Sequence, residues 1–242
     1  MIMKKTHKIH LISGPRNIST ALMYAFGNRE DMAIVDEPFY AYYLAQHPQL
    51  DHPGKEEVLA SQSTDYNVVK ENIIFGDYPQ PYVFFKNMAH HLDGADWSFL
   101  KEVQNVFLIR SPKQLIASFA QVIAEPTLLD IGLKLEYDLL QYVLKSGQTP
   151  IVIDSNEVLA NPEGQLNALC DRLGIPFDTA MLRWAAGPRA EDGVWAKYWY
   201  ANVHRSTGWK KQKTSEREFP SYLTALLKEA QEYYEKLREW VV

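Results

Sequence analysis

The sequence predicts an α/β protein in which helices cover both faces of a mostly parallel central sheet. Short apolar runs bounded by turn residues alternate along the chain with stretches in which apolar residues recur at helical spacing. The apolar runs are continuous rather than interrupted at every second position, which is typical of strands buried on both faces. Because 242 residues suffice for one large core, we interpret residues 1–242 as a single domain.

Five apolar runs are interpreted as strands, and five periodic stretches are interpreted as helices. The predicted strands are Ile9–Ser13, Met32–Val35, Tyr82–Phe85, Asn105–Ile109 and Ile151–Asp154. The predicted helices are Ile18–Phe26, Trp97–Val103, Lys113–Ile123, Leu128–Ser146 and Gly164–Leu173.

Three further stretches lie outside this alternation. Residues 46–80 have mixed polarity and are interpreted as an insertion with one short helix, which forms a lid over the ligand crevice. Residues 194–200, "VWAKYWY", are dense in aromatic side chains that either contact a ligand or pack in the core. Residues 221–242 carry apolar side chains at helical spacing and predict a surface helix packed on the core, with a homodimer contact as the alternative.

Composition and charge exclude several classes of partner. The net charge of −5, without any dense Lys/Arg run, argues against non-specific binding to nucleic acid or to an anionic membrane. No apolar stretch approaches the ~20 residues of a membrane span, and the N-terminus carries no secretory apolar region. Cys170 has no second cysteine to pair with and is predicted to be a small core residue. We therefore expect a cytoplasmic protein.

Cations follow three of the five predicted strands. Arg16 and Arg110 come just after the first and fourth strands, and Lys86 follows the third. In parallel sheets, ligands bind beyond the carboxyl ends of the strands. Three cations that converge on this edge predict an anionic ligand.

The first of these corners reads "GPRNIST" and is typical of an anion-binding loop. The N-terminus of a helix presents unpaired N–H groups and the positive end of the peptide dipoles. Gly14 permits close approach of the backbone, Arg16 adds a full charge, and Pro15, Asn17, Ile18, Ser19 and Thr20 complete the loop. It lacks the second glycine and the lysine of the Walker A pattern G-x-x-x-x-G-K-[ST], so a magnesium nucleoside triphosphate kinase is disfavoured. A purely structural turn stays the alternative interpretation.

The second corner, "RSPKQLIAS", combines arginine with hydroxyls at the start of a helix. Ser111 is the expected N-cap and Pro112 the first helical residue. Arg110 precedes them, and Ser118 lies seven residues after Ser111 on the same helical face. This pattern favours a second anion site, with a capped helix beside a surface arginine as the alternative. Two anion sites without a magnesium signature indicate a ligand with two phosphate-like groups.

These motifs resemble those of the sulfotransferases that use 3′-phosphoadenosine 5′-phosphosulfate (PAPS). In that family an arginine and a serine eight residues apart bind the 3′-phosphate, as Arg110 and Ser118 are spaced here. The stretch "GPRNIST" resembles the loop that binds the 5′-phosphosulfate, with Arg16 where the family usually has lysine. The resemblance implies a P-loop-like fold, PAPS as the cofactor, adenosine 3′,5′-bisphosphate (PAP) as its product, and no metal.

Later segments resemble the same family in the same order. Residues 150–178 resemble the strand, "NP" loop and helix ending in "LGI" that follow the 3′-phosphate site. Residues 204–212, "HRSTGWKKQ", resemble the basic loop that closes over the nucleotide. By this resemblance Arg205, Ser206, Thr207 and Gly208 contact the nucleotide. We expect the acceptor contacts to come from the insertion at 46–80 and from the aromatic segment, although no motif identifies them.

The residue that removes the acceptor's proton is left open by the sequence. The family pattern K-x-H after the third strand keeps its lysine as Lys86 but has Met88 at the place of the histidine. His91, with His90 next to it, is the preferred base, and Glu37 in "DEPFY" is a second candidate, whereas Asp36 is interpreted as a turn cap. Arg16 and Lys86 would stabilise the negative charge that develops during transfer.

Two functions from different classes follow from this pattern. The first is a PAPS-dependent sulfotransferase that transfers a sulfuryl group to a hydroxyl or amino group of a small-molecule acceptor. The second is a non-catalytic nucleotide-binding module of the same fold, because the histidine of the K-x-H pattern is missing.

Overall fold

A computed structural model describes residues 6–210 and 219–241 of the protein. Its strands form one sheet in the order β2-β3-β1-β4-β5, and every neighbouring pair is parallel. The strands are β1 His7–Ser13, β2 Met32–Asp36, β3 Tyr82–Met88, β4 Gln104–Ile109 and β5 Ile151–Asp154. The parallel α/β sheet predicted from the sequence is confirmed.

Helices connect the strands and follow the last of them. In chain order they are α1 Ser19–Phe26, α2 Tyr40–Gln46, α3 Lys55–Ser61, α4 Tyr66–Val69, α5 Pro112–Phe119, α6 Leu128–Ile131, α7 Leu133–Lys145, α8 Ser155–Ala160, α9 Pro162–Leu173, α10 Ala196–Trp199, α11 Ala201–His204 and α12 Thr224–Arg238. A π-helical turn covers Lys70–Ile74, and 3-10 turns cover Ala89–Leu92, Trp97–Glu102, Thr179–Leu182 and Ser221–Leu223.

Three predicted helices were wrong in extent or type. The stretch Leu128–Ser146 is two helices rather than one, because Gly132 adopts a left-handed conformation with φ 79° and ends α6 before α7 begins. The stretch Trp97–Val103 is a 3-10 turn, and α5 ends at Phe119 instead of continuing to Ile123. Helical spacing of apolar residues does not reveal where left-handed residues end a helix.

Helices α2, α8, α10 and α11 lie outside the helices predicted from the sequence, and the insertion at 46–80 holds α3, α4 and a π-helical turn rather than the single short helix predicted. Helix α2 is buried along most of its length, so its sequence "YAYYLAQ" shows no polar face and no readable period. Helix α8 has only six residues, and its N-terminus is capped by Asp154 at the end of β5.

The two faces of the sheet support separate cores. Leu11 of β1 and Phe84 of β3 pack into a core with α1 and α9, whereas their neighbours Ile12 and Phe85 pack into a core with α5, α7 and α12. Because successive strand residues point to opposite faces, burial on both sides explains the continuous apolar runs. Cys170 is fully buried in the first core, as predicted.

The C-terminal part of the chain packs against the second core. Helix α12 lies within the stretch 221–242, contacts α7 and α5, and buries Leu237 completely. Tyr234 donates a hydrogen bond of 2.7 Å to the buried Asp154. No helix in the described ranges combines the length and the apolar character that crossing a membrane would require.

Candidate functional site

One cavity of about 560 Å³ opens at the carboxyl ends of the central strands. The loops after β1, β2, β3 and β4 all contribute to its wall, as expected for a parallel sheet. The wall is completed by α11 and the segment that follows it and, from the insertion at 46–80, by His52.

Most of the predicted site residues line this cavity. They are Pro15, Arg16, Asn17, Ile18, Ser19, Thr20, Lys86, His90, His91, Arg110, Ser118, Ser206 and Gly208. Three others lie outside the lining, namely Gly14 beneath the first loop and the exposed Arg205 and Thr207. Lys211 and Gln212 of the predicted late loop lie outside the described residues.

The loop after β1 has the backbone shape of an anion site. Arg16 and Ile18 have left-handed backbones, with φ 58° and 56°, a conformation that L-residues other than glycine rarely adopt. Alternation of left- and right-handed residues turns successive N–H groups toward one concave side, where an anion binds. Asn17 fixes this shape by donating a hydrogen bond to the carbonyl of Leu108 in β4.

Gly14 is required where the loop leaves β1. A Cβ atom at this position would lie 2.6 Å from the carbonyl oxygen of Ile131. The close approach lets α6 support the loop from below, and the loop then enters the N-terminus of α1 at Ser19.

The two predicted anion sites form one continuous polar surface. Arg110 follows β4 and donates a hydrogen bond from Nη1 to the carbonyl oxygen of Arg16. The Nε atom of Arg16 in turn donates to the hydroxyl of Ser118 on α5, at 3.2 Å. Arg16 therefore lies between the two corners that the sequence analysis treated separately.

Next to this surface lies a buried cluster of four polar side chains, which we call the Lys86 cluster. Its members are Asp36, Glu37, Lys86 and Tyr200. The Lys86 ammonium donates to Asp36 Oδ1 at 3.0 Å, to Glu37 Oε1, and to the Tyr200 hydroxyl at 2.5 Å. Glu37 has a left-handed backbone with φ 42°, which turns its side chain back toward β3. The interpretation of Asp36 as a helix or turn cap is wrong, since its buried carboxylate pairs with Lys86, its neighbour on β3.

The Lys86 cluster holds one cation and two carboxylates. Burial and the neighbouring Asp36 raise the pKa of Glu37 to about 7, although the Lys86 ammonium acts to lower it. Burial alone would lower the pKa of Lys86, but the two carboxylates outweigh it and hold that pKa above its ordinary value. Lys86 therefore stays charged at neutral pH, and Glu37 binds a proton more readily than an exposed glutamate does.

His90 and His91 lie in the 3-10 turn after β3 and are almost completely buried. Burial lowers the pKa of His90 to about 3 and that of His91 well below its ordinary range. The His91 ring stacks on Tyr40 with centroids 4.5 Å apart, and its Nε2 lies 3.9 Å from Glu37 Oε2. Both imidazoles are neutral at pH 7.

Several residues of the cavity wall were missed by the sequence analysis. Tyr40 and His52 are two of them, and the Tyr40 hydroxyl is hydrogen-bonded to His52 Nδ1 at 3.0 Å. Trp199 and Tyr200 are two more, from the aromatic segment whose role the sequence left open. Trp195 of the same segment is buried in the core instead. The density of aromatic residues was the available signal, but it does not show which rings face a ligand. In the described parts of the chain, no cluster of His, Cys, Asp and Glu is arranged to hold a metal ion.

The sequence matches the family model for the sulfotransferase domain over residues 7–239. The chain belongs to the sulfotransferase family. Among curated proteins, the chain is 37% identical over 240 residues to "Branched-chain-amino-acid aminotransferase-like protein 1" of Arabidopsis thaliana. The match covers 99% of the chain but only 43% of the plant protein.

Solved structures show the same fold. The sulfotransferase domain from the Synechococcus PCC 7002 olefin synthase is similar with a TM-score of 0.57 and 16% identity, covering 97% of both chains. The sulfotransferase domain from the curacin biosynthetic pathway is similar with a TM-score of 0.51 and 16% identity, covering 96% of this sulfotransferase and 98% of that domain.

Proposed function

We propose that this sulfotransferase transfers the sulfuryl group of PAPS to a hydroxyl or amino group of a small-molecule acceptor. The observation that carries the proposal is one cavity that joins a continuous polar surface, with Arg16 and Arg110 in it, to a buried carboxyl group with a pKa of about 7. The first part suits a donor with two phosphate-like ends, and the second suits removal of a proton from an acceptor.

The donor would lie along the loop after β1 and the start of α5. The 5′-phosphosulfate would accept hydrogen bonds from the N–H groups at residues 16–20, where the N-terminus of α1 favours an anion. The 3′-phosphate would bind Arg110 and Ser118. Arg16 would contact the donor between these two ends, because its guanidinium already reaches Ser118.

Transfer would follow an in-line displacement at sulfur. The acceptor oxygen or nitrogen forms a bond to sulfur and gives its proton to the protein, while the bond from sulfur to the 5′-phosphate oxygen breaks. The electron pair of that bond stays on the phosphate, so PAP leaves. Arg16 and Lys86 would stabilise the negative charge on the transferring group and on the leaving oxygen.

Glu37 is our choice for the proton acceptor, ahead of His91 and His90. A general base works best when its pKa lies near the operating pH. Glu37 meets this condition with a pKa of about 7, whereas the pKa of His90 is about 3 and that of His91 also lies well below its ordinary range. His91 lies 3.9 Å from Glu37 Oε2 and would contribute to the wall against which the acceptor packs.

The first experiment compares thermal unfolding with PAP, 5′-AMP, and ATP plus magnesium. At about 100 times the dissociation constant a ligand adds roughly 2.7 kcal/mol, which raises Tm by several degrees for a chain of this size. Stabilisation by PAP above that by 5′-AMP supports the donor site. If only ATP plus magnesium stabilises the protein, or if none of the three ligands does, the donor site is contradicted.

The second experiment follows sulfuryl transfer from labelled PAPS to a panel of phenols, alcohols and amines. Turnover of any of them supports an enzyme. The non-catalytic module is favoured by Met88, which lines the cavity at the place of the family histidine. Tight PAP binding without transfer to any member of a broad panel would support that module instead.

A further inference from the structure

Tyr200 reaches the Lys86 cluster from the aromatic segment, 114 residues along the chain from Lys86. Its hydroxyl is completely buried and accepts hydrogen bonds from Lys86 Nζ at 2.5 Å and from Trp195 Nε1 at 3.0 Å. The hydroxyl has a single proton to donate. The Asp36 oxygens lie 2.9 and 2.8 Å away and Glu37 Oε1 lies 3.2 Å away, so this proton is shared between the two carboxyl groups.

Both carboxylate oxygens of Asp36 accept hydrogen bonds. Its Oδ1 accepts from Lys86, and its Oδ2 accepts from the backbone N–H of Gly193 at 3.1 Å, in addition to the Tyr200 hydroxyl. Its side chain is 1% exposed. These donors fix the Asp36 carboxylate beside the Lys86 ammonium.

The two carboxyl oxygens of Glu37 differ in the hydrogen bonds that they accept. Its Oε1 accepts from Lys86 and lies near the Tyr200 hydroxyl. Among the described residues no hydrogen bond reaches Oε2, and His91 Nε2 lies 3.9 Å from it. Glu37 lines the cavity, so it can offer one oxygen to a bound ligand while the other is held.

We propose that Asp36 and Tyr200 are positioning residues: Asp36 shares the Lys86 ammonium with Glu37, the Tyr200 hydroxyl lies against Glu37 Oε1, and Glu37 Oε2 is left able to take the acceptor's proton. The inference rests on the proposed sulfuryl transfer with Glu37 as base. Without Asp36, the whole charge of the Lys86 ammonium would act on Glu37 and make it a weaker base. Two carboxylates beside one ammonium avoid that outcome.

Five titratable groups surround the Glu37 carboxyl in the described structure, one from each element packed against it. They are Asp36 of β2, Tyr40 of α2, Lys86 of β3, His91 of the turn after β3, and Tyr200 of the aromatic segment. Burial keeps His91 and the two tyrosines uncharged at pH 7, since it lowers the pKa of His91 and raises the pKa values of Tyr40 and Tyr200. Asp36 raises the pKa of Glu37, whereas Lys86 and the Tyr200 hydrogen bond lower it.

The test uses the pH dependence of kcat for two variants whose effects have opposite signs. Asp36→Asn removes a negative charge beside Glu37, so that Glu37 is the only carboxylate paired with Lys86. The acidic limb of the profile, which is the pH range in which kcat falls as pH decreases, should therefore move to lower pH by roughly one unit or more. Tyr200→Phe removes a hydrogen bond that favours ionised Glu37, so the limb should move to higher pH. KM for PAPS should stay unchanged in both variants, because neither residue belongs to the donor side of the cavity.

Tyr24→Phe is the matched control. Tyr24 is also a buried tyrosine that donates to a carboxylate, Asp192, but neither residue lines the cavity. In this variant the acidic limb of the kcat profile should lie at the same pH as in the unmodified protein. Limbs that coincide in all four proteins, or that move in the same direction for Asp36→Asn and Tyr200→Phe, would overturn the proposal.

A direct titration keeps the inference separate from the proposed function. Carbon-13 NMR of labelled glutamate, with the Glu37 signal assigned by its loss in Glu37→Gln, reports the pKa of Glu37 without any turnover. Opposite shifts in the two variants support the positioning role even if no acceptor reacts, whereas equal values refute it. Should Asp36→Asn fail to fold, an upward shift in Tyr200→Phe beside an unchanged Tyr24→Phe still supports the role, and no shift refutes it.

Discussion

The loop after β1, proposed as an anion site, is a run of neighbours in the chain, Gly14 to Thr20, whereas the Lys86 cluster joins Asp36, Lys86 and Tyr200 across separations of 50 and 114 residues. Both contribute to the wall of the same cavity. The loop combines two left-handed backbones with a guanidinium, while the cluster is buried and neutralises most of its own charge. The proposed donor side thus depends on local backbone geometry, and the proposed acceptor side depends on tertiary burial.

Glu37→Gln should separate the two sides most strongly. The amide keeps the shape of the side chain but cannot take a proton, so kcat should fall by roughly 10²–10⁴. PAP binding, measured by calorimetry, should stay within error because the donor side is intact. His90→Gln is the control, since an imidazole with a pKa near 3 contributes little as a base at neutral pH. A larger loss for His90→Gln than for Glu37→Gln would reverse the assignment.

The pH dependence of kcat tests the acceptor side without any substitution. Glu37 must be ionised to accept a proton, so activity should fall as pH decreases through about 7, by about tenfold for each unit below it. The limb should disappear from kcat in Glu37→Gln. A limb near pH 3 would instead point to His90, whose pKa is about 3.

Arg110→Ala should affect the donor side alone. Loss of a charge-assisted contact to the 3′-phosphate costs roughly 1.5–3 kcal/mol, which is about 10- to 150-fold in the Kd of PAP. Affinity for 5′-AMP, which lacks the 3′-phosphate, should change much less. Lys113→Ala, which removes an exposed cation from the same helix, should leave both affinities unchanged. Equal losses for PAP and 5′-AMP in Arg110→Ala would remove the 3′-phosphate assignment.

The smallest expected effect is the coupling between Arg16 and Ser118. Their hydrogen bond of 3.2 Å joins the two corners, so a double-mutant cycle on PAP affinity should give an interaction energy of roughly 0.5–1.5 kcal/mol. Arg16→Ala should also lower kcat, because its guanidinium would act on the transferring group. Strict additivity in the cycle would mean that the two corners bind the nucleotide independently.

Much of the donor side could be predicted from sequence because its residues are adjacent. The Arg110 to Ser118 spacing, the Pro112 start of α5 and the loop after β1 depend on local helix and turn geometry. The left-handed backbones of Arg16 and Ile18 could not be predicted, since neither residue type favours φ above zero. Contact between Arg16 and Ser118, 102 residues apart, also required the fold.

The sequence by itself determined the parallel sheet and the arginines that follow β1 and β4 at its carboxyl edge, because strand burial and helix starts are encoded by neighbouring residues. Only the tertiary structure decided which ionisable groups can act as acid or base. Two adjacent histidines became poor bases through burial, while Glu37 gained a pKa of about 7 through burial beside Asp36. A pKa depends on desolvation and on charges close in space, and neither quantity is set by the order of residues along the chain.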